Sequence, residues 1–241
     1  MRLINKTALI TGGSKGIGKG IARVFLQEGA KVIICARDEE VLTNTREELK
    51  QFGKIYSFHV NITKLQDIQN LYQFISNSFY HLDILVNNAS ILGLRTKIID
   101  YPEHIWDSVI NVNLNSQFYI IKSLLPLLLN SNNASIINVS SSVGRKGKPE
   151  WGAYAASKFG LEGLTQVLAE ELKDTRIRVN SVNPGGTRTE MRAQAYPDED
   201  PNTLPTPEEI SPIFTYLASD ESLSITGQQF NARDYINKTK A

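Results

Sequence analysis

Two side chains in the second half of the chain, Tyr154 and Lys158, have types and spacing suited to moving a proton. They are four residues apart, so on a helix both lie on one face. A free phenol has a pKa of about 10, and a neighbouring ammonium lowers it by stabilising the phenolate. A phenol tuned in this way can protonate a carbonyl oxygen, or act as the base in the reverse reaction. A lone Tyr-x-x-x-Lys pattern is common on ordinary helices, so its meaning depends on the other motifs.

A glycine-rich segment, Thr11-Gly-Gly-Ser-Lys-Gly-Ile-Gly18, follows the apolar run Ala8-Leu9-Ile10 and precedes a stretch with helical spacing. Glycine permits a tight turn and a close approach of the backbone to a pyrophosphate. The helix N-terminus then offers free N–H groups to that anion. In this context the pattern predicts a dinucleotide-binding turn. The residues predicted to contact the cofactor here are Gly12, Ser14, Lys15, Gly16, Ile17 and Gly18.

The same segment comes close to a nucleoside-triphosphate loop, because Gly13, Gly18 and Lys19 have the required spacing. That motif needs a serine or threonine after the lysine to hold magnesium, and Gly20 has no hydroxyl. No acidic residue ends the third or fourth predicted strand either. The pattern therefore does not favour a phosphotransferase.

The residues at the end of the second predicted strand indicate which dinucleotide binds. Sites for NAD place a carboxylate there to hold the ribose 2′-hydroxyl, whereas sites for NADP place cations for the 2′-phosphate. Here Ala36 stands at the position of the acid, and Arg37 follows it. The Arg37 guanidinium can bind a phosphate through two N–H groups, with Lys15 as a further charge, although Asp38 could pair with either cation. We therefore expect NADPH, or NADP+ in the reverse reaction, rather than NADH.

Short β-branched runs alternate with amphipathic helical stretches along the chain, a pattern typical of right-handed βαβ units. It predicts a single-domain α/β Rossmann fold over residues 1–241, with a doubly wound, mostly parallel sheet of about seven strands and helices on both faces. Long helices are predicted over 102–129, which Pro126 should kink or end, and over 151–172, and a last helix near 207–218. The predicted strands lie near 8–10, 31–36, 55–60, 84–86, 135–140, 177–182 and 228–231.

Composition and charge exclude several kinds of partner. The 26 lysines and arginines nearly cancel the 25 aspartates and glutamates, so no global field attracts nucleic acid. No apolar run approaches the length of a membrane span, and the N-terminus lacks the apolar stretch of a secretory signal, so we expect a cytoplasmic protein. The one cysteine, Cys35, lies in an apolar strand. The scattered His59, His81 and His104 give no metal-ligand spacing, so no metal is expected.

Further motifs make the chain similar to the short-chain dehydrogenase/reductase family, in particular to a bacterial branch of unassigned substrate. The matching pieces are Thr11–Gly18, Asn87-Asn88-Ala89, Asn113 seven residues after Trp106, Ser141, Tyr154-x-x-x-Lys158 and Pro184-Gly185. The resemblance covers nearly the whole chain. It implies an NAD(P)H-dependent oxidoreductase that interconverts a small carbonyl compound and its alcohol.

The resemblance also assigns roles to individual residues. Ser141, selected over its two serine neighbours by the family's spacing of 13 residues to the tyrosine, polarises the substrate carbonyl. Asn113 helps to hold a water chain that leads to Lys158, and Lys158 holds the nicotinamide ribose. The catalytic set is thus Asn113, Ser141, Tyr154 and Lys158. Implied cofactor contacts are Asn61, Ile62, Asn88, Ala89, Tyr154, Lys158, Pro184, Gly185, Thr187 and Thr189.

Some segments are variable in the family or depart from it. Residues 187–212 correspond to the family's substrate lid, and their prolines limit the entropy of a loop. Ser90 follows Asn-Asn-Ala where glycine is usual. The sequence over 227–234 departs from the family's usual ending, which puts the tetramer contact of that segment in doubt, and residues 235–241 are expected to form a flexible tail.

A homodimer or homotetramer is expected from the resemblance, because related proteins pack two long helices against their copies. The corresponding helices here are those predicted over 102–129 and 151–172. Trp151, Phe159 and Leu161 are compatible with such a contact.

Two functional alternatives stay open. Arg145, Lys146 and Lys148 lie between Ser141 and Tyr154 and should rim the site, where they could receive an acidic substrate or an acidic carrier protein. This keeps a 3-oxoacyl-[acyl-carrier-protein] reductase open, although a solvated loop is the simpler interpretation. The other alternative is an NADP(H)-binding sensor or scaffold without turnover, but all four catalytic residues are present.

Overall fold

Short apolar runs separated by helices form one parallel sheet, because each crossover helix returns the chain to the same end of the sheet. The computed structural model describes residues 1–236, and all the strand pairs of the sheet are parallel. This confirms the predicted fold class. The strands are β1 (Thr7–Thr11), β2 (Lys31–Ala36), β3 (Ile55–His59), β4 (Ile84–Asn87), β5 (Ala134–Val139), β6 (Ile177–Asn183) and β7 (Gln229–Asn231).

The order of strands across the sheet is β3-β2-β1-β4-β5-β6-β7. The chain first moves outward from β1 to β3 and then returns to place β4 on the other side of β1. Such a reversal opens a crevice at the carboxyl ends of the two strands, where ligands of this architecture bind. The topology therefore places the candidate site above β1 and β4.

Helices cover both faces of the sheet and bury the two sides of each central strand. The helices are α1 (Gly16–Gln27), α2 (Glu39–Leu49), α3 (Leu65–Phe79), α4 (Glu103–Ile110), α5 (Ser116–Leu129), α6 (Gly152–Glu171), α7 (Glu190–Ala195) and α8 (Pro212–Ala218). In β1, Leu9 belongs to an apolar cluster with α3, α5 and α6 on one face, and Ile10 belongs to a cluster with α1, α2 and α8 on the other. Both side chains are fully buried, as expected for a parallel strand with helices on both faces.

The helical stretch predicted over 102–129 is present over 103–129 and contains one irregular turn. A π-helical turn, Asn111–Asn115, separates α4 from α5. Pro126 does not end α5, which continues to Leu129. The ring of Pro126 removes one N–H donor, but the helix closes through the Asn130 N–H, which donates to the Pro126 carbonyl at 3.3 Å.

The segment predicted as a helix near 207–218 begins later than expected, at Pro212. Before it, the Thr206 N–H donates to the Glu209 carboxylate at 2.7 Å, and the Glu209 N–H donates to the Thr206 hydroxyl at 3.3 Å. This reciprocal pair forms a separate turn. The lid segment, residues 187–212, contains α7 and a 3₁₀ turn at Pro201–Thr203.

The first two residues of the flexible tail predicted over 235–241 are packed against the fold. Tyr235 ends a 3₁₀ turn, Ala232–Tyr235, and its ring stacks on Tyr216 with centroids 6.2 Å apart. Ile236 also contacts the core. The remainder of that predicted tail, 237–241, lies outside the described residues. Within residues 1–236, no helix has the length and apolarity to cross a bilayer.

A buried arginine on β6, Arg178, ties α8 to the sheet. Its guanidinium donates to the Leu217 carbonyl at 2.7 Å, to the Ser219 carbonyl at 3.3 Å, and to both the hydroxyl and the carbonyl of Ser222. The carbonyls at the end of a helix have no partner within the helix. The charged donor of Arg178 therefore adds strong hydrogen bonds to buried acceptors that otherwise receive only serine hydroxyls, such as the Leu217 and Ser219 carbonyls.

We expect the substitution Arg178→Met to lower the free energy of unfolding by about 3 kcal/mol, because these carbonyls lose charged hydrogen bonds and stay buried. Urea unfolding followed by circular dichroism measures the change. The matched control is Arg176→Met, since Arg176 is exposed and adjacent to the same strand; it should stay within about 0.5 kcal/mol of the parent. Superimposable curves for the parent and Arg178→Met would contradict this account.

Candidate active site

A cavity of about 1050 Å³ lies over the carboxyl ends of the strands, at the reversal between β1 and β4. It exceeds the usual size of small-molecule pockets, roughly 300–1,000 Å³. Most of the predicted cofactor residues line it. These are Gly12, Ser14, Lys15, Gly16, Ile17, Arg37, Asn61, Ile62, Asn88, Ala89, Tyr154, Lys158, Pro184 and Thr189.

Three predicted cofactor residues, Gly18, Gly185 and Thr187, are not among the residues that line the cavity. A Cβ atom on Gly18 would lie 2.4 Å from the Gly12 carbonyl oxygen and 2.6 Å from the Asn88 amide nitrogen. Gly18 therefore permits close packing beneath the turn instead of forming its surface. Thr187 is buried, and its hydroxyl donates weakly to the carbonyls of Pro184 and Gly185 at 3.4 Å.

The glycine turn is shaped to admit an anion. Gly12 and Gly16 have φ angles of +64° and +51°, which L side chains rarely adopt. Helix α1 begins at Gly16, and its N-cap residue Lys15 forms no side-chain capping bond. The first N–H groups of α1 are thus available to a phosphate, with the positive end of the helix dipole behind them. The turn fits the pyrophosphate of a dinucleotide.

The ends of β1 and β4 are fastened together by Thr11 and Asn88. The Thr11 hydroxyl accepts hydrogen bonds from the N–H groups of Asn88 and Ala89, both at 3.0 Å. The Asn88 amide donates to the carbonyls of Thr11 at 2.9 Å and Gly12 at 3.2 Å. These contacts hold the floor of the cavity rigid.

At the far end of the cavity, the cations expected to select NADPH are available. The Asp38 carboxylate caps α2 by accepting from the Val41 N–H at 3.1 Å, so it serves that helix and forms no ion pair with Arg37 among residues 1–236. The Arg37 side chain lines the cavity and is exposed. Lys15 has only a solvent-exposed contact of 3.7 Å with Glu190, which is weak in water.

Of the candidate catalytic residues, Tyr154 and Lys158 line the inner end of the cavity, whereas Ser141 and Asn113 do not line it. Tyr154 and Lys158 lie on α6, one turn apart, and the hydroxyls of Ser141 and Ser90 are within hydrogen-bonding range of the Tyr154 phenol. The Lys158 ammonium is buried and donates to the Val139 carbonyl, at the end of β5, at 2.8 Å. Ser141 is brought there as the N-cap of a 3₁₀ turn, Ser142–Gly144.

The electrostatics of the pair differ from the sequence-based expectation. Burial raises the pKa of Tyr154 to about 12, and the two serine hydroxyls only partly oppose this. Burial also lowers the pKa of Lys158 to about 8, against the favourable charge of Glu162. The Lys158 nitrogen lies 5.6 Å from the centroid of the Tyr154 ring, so the ammonium faces the ring and does not offset the desolvation of the phenol.

Asn113 is fully buried inside the π-helical turn. Its side chain forms hydrogen bonds with the loop after β4. Its amide nitrogen donates to the Ile91 carbonyl at 2.9 Å, and its oxygen accepts from the Ile91 N–H at 2.8 Å. The same nitrogen reaches the Ser157 hydroxyl at 3.2 Å. The side chain therefore positions this loop against α6.

Two of the three basic residues predicted to rim the site, Arg145 and Lys148, form hydrogen bonds with other residues. Arg145 points to the opposite side of its loop, where it pairs with the buried Glu162 at 3.0 Å and donates to the Phe230 carbonyl at 3.1 Å. Lys148 donates to the Tyr196 hydroxyl at 2.8 Å, and Lys146 is exposed. Neither Arg145 nor the two lysines line the cavity. Sequence position alone could not show the direction of these side chains.

Sequence reasoning noted Ser90 only as a departure from the family's glycine and missed its place beside the Tyr154 phenol. The signal available was its position directly after the end of β4, where ligand-binding residues of parallel sheets lie. It also missed the apolar wall of the cavity next to Ser90, formed by Leu92 and Met191 with the polar Gln194. Among residues 1–236, no group of three His, Cys, Asp or Glu side chains has metal-binding geometry.

A doubly wound parallel sheet with an open glycine turn, and a Tyr–Lys–Ser cluster at the strand ends, defines a dinucleotide-binding oxidoreductase fold. The family model for the short chain dehydrogenase matches residues 6–200. The chain belongs to this family. The prediction of an oxidoreductase is thereby confirmed at the level of the class.

Relatives of known sequence or structure resemble the chain over almost its whole length. An uncharacterized oxidoreductase of Escherichia coli K12, YciK, is 41% identical over 235 residues, which cover 96% of this chain and 93% of YciK. The 3-oxoacyl-[acyl-carrier-protein] reductase FabG of Thermotoga maritima is 38% identical over 238 residues, with 95% and 96% covered. A short chain dehydrogenase of Shigella flexneri, solved in complex with NADP, superposes with a TM-score of 0.94 at 40% identity, and 96% and 98% of the two chains are covered.

The buried ammonium of Lys158 should cost the fold stability. Because its pKa falls from 10.5 to about 8 on folding, the folded state binds fewer protons than the unfolded state between those values, and the stability of the parent rises with pH across that window. We expect Lys158→Met to raise the free energy of unfolding by up to about 3 kcal/mol at pH 7. This advantage should disappear as the pH rises from about 8 to 10.5.

Denaturant unfolding of both proteins at a series of pH values measures this effect. The control Lys173→Met changes an exposed lysine just after α6 and should give a pH-independent difference close to zero. A Lys158→Met variant that is less stable than the parent at pH 7 would show that the ammonium stabilises the fold instead.

Proposed function

We propose that the protein is an NADPH-dependent carbonyl reductase that converts a ketone or aldehyde to an alcohol. The observation that carries this proposal is the meeting of the Tyr154 phenol with the Ser141 and Ser90 hydroxyls beside the buried Lys158. Tyr154, Lys158 and Ser90 line the same cavity as the glycine turn, and the Ser141 hydroxyl lies beside the phenol. A proton donor and a dinucleotide site at the two ends of one cavity are what carbonyl reduction requires.

The choice of NADPH is supported by the charges at the outer end of the cavity. Arg37 offers a planar pair of donors that suits a phosphate monoester, and Lys15 adds a second positive charge from the glycine turn. The Asp38 carboxylate is used as a helix cap. The related Shigella flexneri structure in complex with NADP gives the same cofactor independent support.

The protein's own residues contribute binding, orientation and a proton. Bound NADPH supplies the hydride for the carbonyl carbon. Ser141 donates a hydrogen bond to the carbonyl oxygen, where negative charge develops. Tyr154 gives its proton to that oxygen. Lys158 holds its ammonium at the Val139 carbonyl, beside the Tyr154 ring.

Ser90 extends this arrangement. Its hydroxyl shares the Tyr154 phenol with Ser141, so the phenol is oriented from two sides before a substrate arrives. Orientation of a proton donor before the reaction lowers the barrier, since no reorganisation is needed in the transition state.

A 3-oxoacyl thioester reductase is the second candidate, favoured by the likeness to the Thermotoga maritima enzyme. The engagement of Arg145 with Glu162 weighs against a carrier-binding rim at that loop, because this guanidinium has no free face toward the cavity. Turnover of an acetoacetyl thioester with NADPH distinguishes the candidates. Good activity on simple ketones without thioester turnover would remove this alternative.

We also propose that the protein forms a homodimer or homotetramer. Phe118 on α5 and Phe159 on α6 are exposed in the protomer, which suits contact with a second copy. Trp151 and Leu161, which the sequence suggested for the same contact, are buried within the protomer instead. Sedimentation velocity measures the assembly directly.

We expect Tyr154→Phe to reduce kcat by about 10³-fold, because the ring keeps its packing and loses the transferred proton. The dissociation constant for NADPH, measured by cofactor fluorescence, should stay near that of the parent. Tyr72→Phe, on α3 outside the cavity, is the control and should keep full activity. Turnover by Tyr154→Phe at the parental rate would refute the assigned acid.

We expect Arg37→Ala to weaken NADPH binding roughly tenfold and to leave NADH binding almost unchanged, because only NADPH carries the 2′-phosphate. Titration with each cofactor separates the two effects. The exposed Arg46 on α2 does not line the cavity, so Arg46→Ala should change neither constant. Equal affinities for both dinucleotides in the parent would overturn the cofactor choice.

A further inference from the structure

Behind the wall residues Leu92 and Met191 lies a cluster of two arginines and two aromatic rings. We call this cluster the latch; its residues are Arg95, Trp151, Arg192 and Tyr196. None of the four lines the cavity, but Trp151 and Tyr196 pack in one apolar cluster with Leu92 and Met191. The latch therefore supports this wall of the cavity from behind.

Tyr196, at the end of α7, is surrounded by cations. The Arg192 guanidinium lies 3.8 Å from its ring centroid, that of Arg95 lies at 5.1 Å, and the Lys148 nitrogen lies at 5.3 Å. Lys148 also donates to the Tyr196 hydroxyl. Each cation over an aromatic face contributes about 0.5–1 kcal/mol at an exposed site and more when water is removed. The ring is thus held by several separate contacts.

Arg95 joins three separate segments of the chain. It donates to the Ala195 carbonyl of α7 at 2.6 Å and to the Glu150 carboxylate at 3.1 Å, and its guanidinium lies 5.2 Å from the Trp151 ring centroid. The neighbouring Thr96 forms a β-bridge with Trp151. The loop after β4, the start of α6 and the lid segment therefore meet on one side chain.

The lid segment is stiffened internally, so the latch acts on it as one piece. Arg192 forms two hydrogen bonds with the Glu199 carboxylate, at 2.5 and 2.6 Å. Arg188 donates to the carbonyls of Pro201, Asn202 and Leu204. Because of these internal contacts, we expect the lid segment to move as one unit.

The latch is also coupled to the candidate acid. The Trp151 ring lies 6.0 Å from the Tyr196 ring and 5.6 Å from the Tyr154 ring, measured between centroids. Trp151, Tyr154 and Ala195 belong to one buried apolar cluster. Packed side chains therefore connect the Tyr154 phenol to the wall formed by Leu92 and Met191.

We propose that Arg95 and Tyr196 are specificity-determining residues that restrict the substrate to compact, mainly apolar carbonyl compounds. This inference rests on the proposed carbonyl reductase. A substrate can place an apolar body against Leu92 and Met191, and the latch packed behind these two side chains prevents them from moving aside for a long chain. The latch cations are already paired with Glu150, Glu199, a carbonyl and the ring faces, so they do not bind an acidic substrate group.

The test measures kcat/KM with NADPH along a series of linear methyl ketones from butanone to dodecanone. The parent should prefer the short ketones. Arg95→Ala and Tyr196→Ala should shift the long-to-short ratio of kcat/KM by about tenfold or more toward long chains. Tyr196→Phe keeps the ring and its cations and should keep the parental profile. Cofactor affinity should be the same in all variants, since the latch lies outside the cavity.

An unchanged chain-length profile in both alanine variants overturns the inference, whether their overall activity falls or not, because a merely structural role affects all ketones alike. Failure of the proposed function looks different, since the parent would then reduce none of the series. In that case tryptic cleavage at Arg188 and Arg192 decides about the latch. Faster cleavage in Tyr196→Ala than in Tyr196→Phe supports it, and equal rates refute it.

Discussion

The hydrogen bond between the Lys158 ammonium and the Val139 carbonyl is the contact on which the candidate site depends, since it fixes α6 against the end of β5. Burial of an ammonium costs free energy unless its hydrogen bonds are satisfied. The packing around Lys158 is also tight. A Cβ atom on Gly144 would lie 2.8 Å from the Lys158 Cβ, so only a glycine allows the Ser142–Gly144 turn to approach the helix. The helix fixed in this way carries the Tyr154 phenol beside the hydroxyls of Ser141 and Ser90.

The same helix connects the site to the edge of the sheet. Glu162, one turn after Lys158, is buried and accepts hydrogen bonds from Arg145, from the Ser181 hydroxyl at 2.6 Å and from the Gln229 amide at 3.0 Å. The carboxylate therefore serves α6, β6 and β7 together, and its charge also favours the ammonium of Lys158. This network explains why Arg145 faces away from the cavity. A guanidinium turned toward the substrate would leave Glu162 buried without a cation, which is strongly destabilising.

The fold was predictable from sequence because its signals are local and strong. Short apolar runs mark β1, β2 and β4, and glycines mark the turn after β1, so the strand positions and the parallel sheet followed from pattern alone. The π-helical turn inside the helix predicted over 102–129 was not predictable, since one such turn scarcely changes the hydrophobic period. The directions of Arg145 and Lys148, and the place of Ser90, depend on tertiary packing. The same holds for the sign of the pKa shift of Tyr154, because desolvation is a property of the folded interior and not of the spacing to Lys158.

That sign matters for the direction of the proposed reaction. With its pKa raised to about 12, the Tyr154 phenol stays protonated at neutral pH, and a protonated phenol is the form that reduction consumes. Oxidation of an alcohol needs the phenolate, and burial opposes it. The positive charge of an oxidised nicotinamide ring beside the phenol would favour the phenolate. Without a cofactor, the Tyr154 phenol is therefore in the form that donates a proton. For Tyr154 to accept a proton in the reverse reaction, the oxidised cofactor must stabilise its phenolate. The physical origin of this preference is burial of the phenol, to which the packing of the Trp151 ring against the Tyr154 ring contributes.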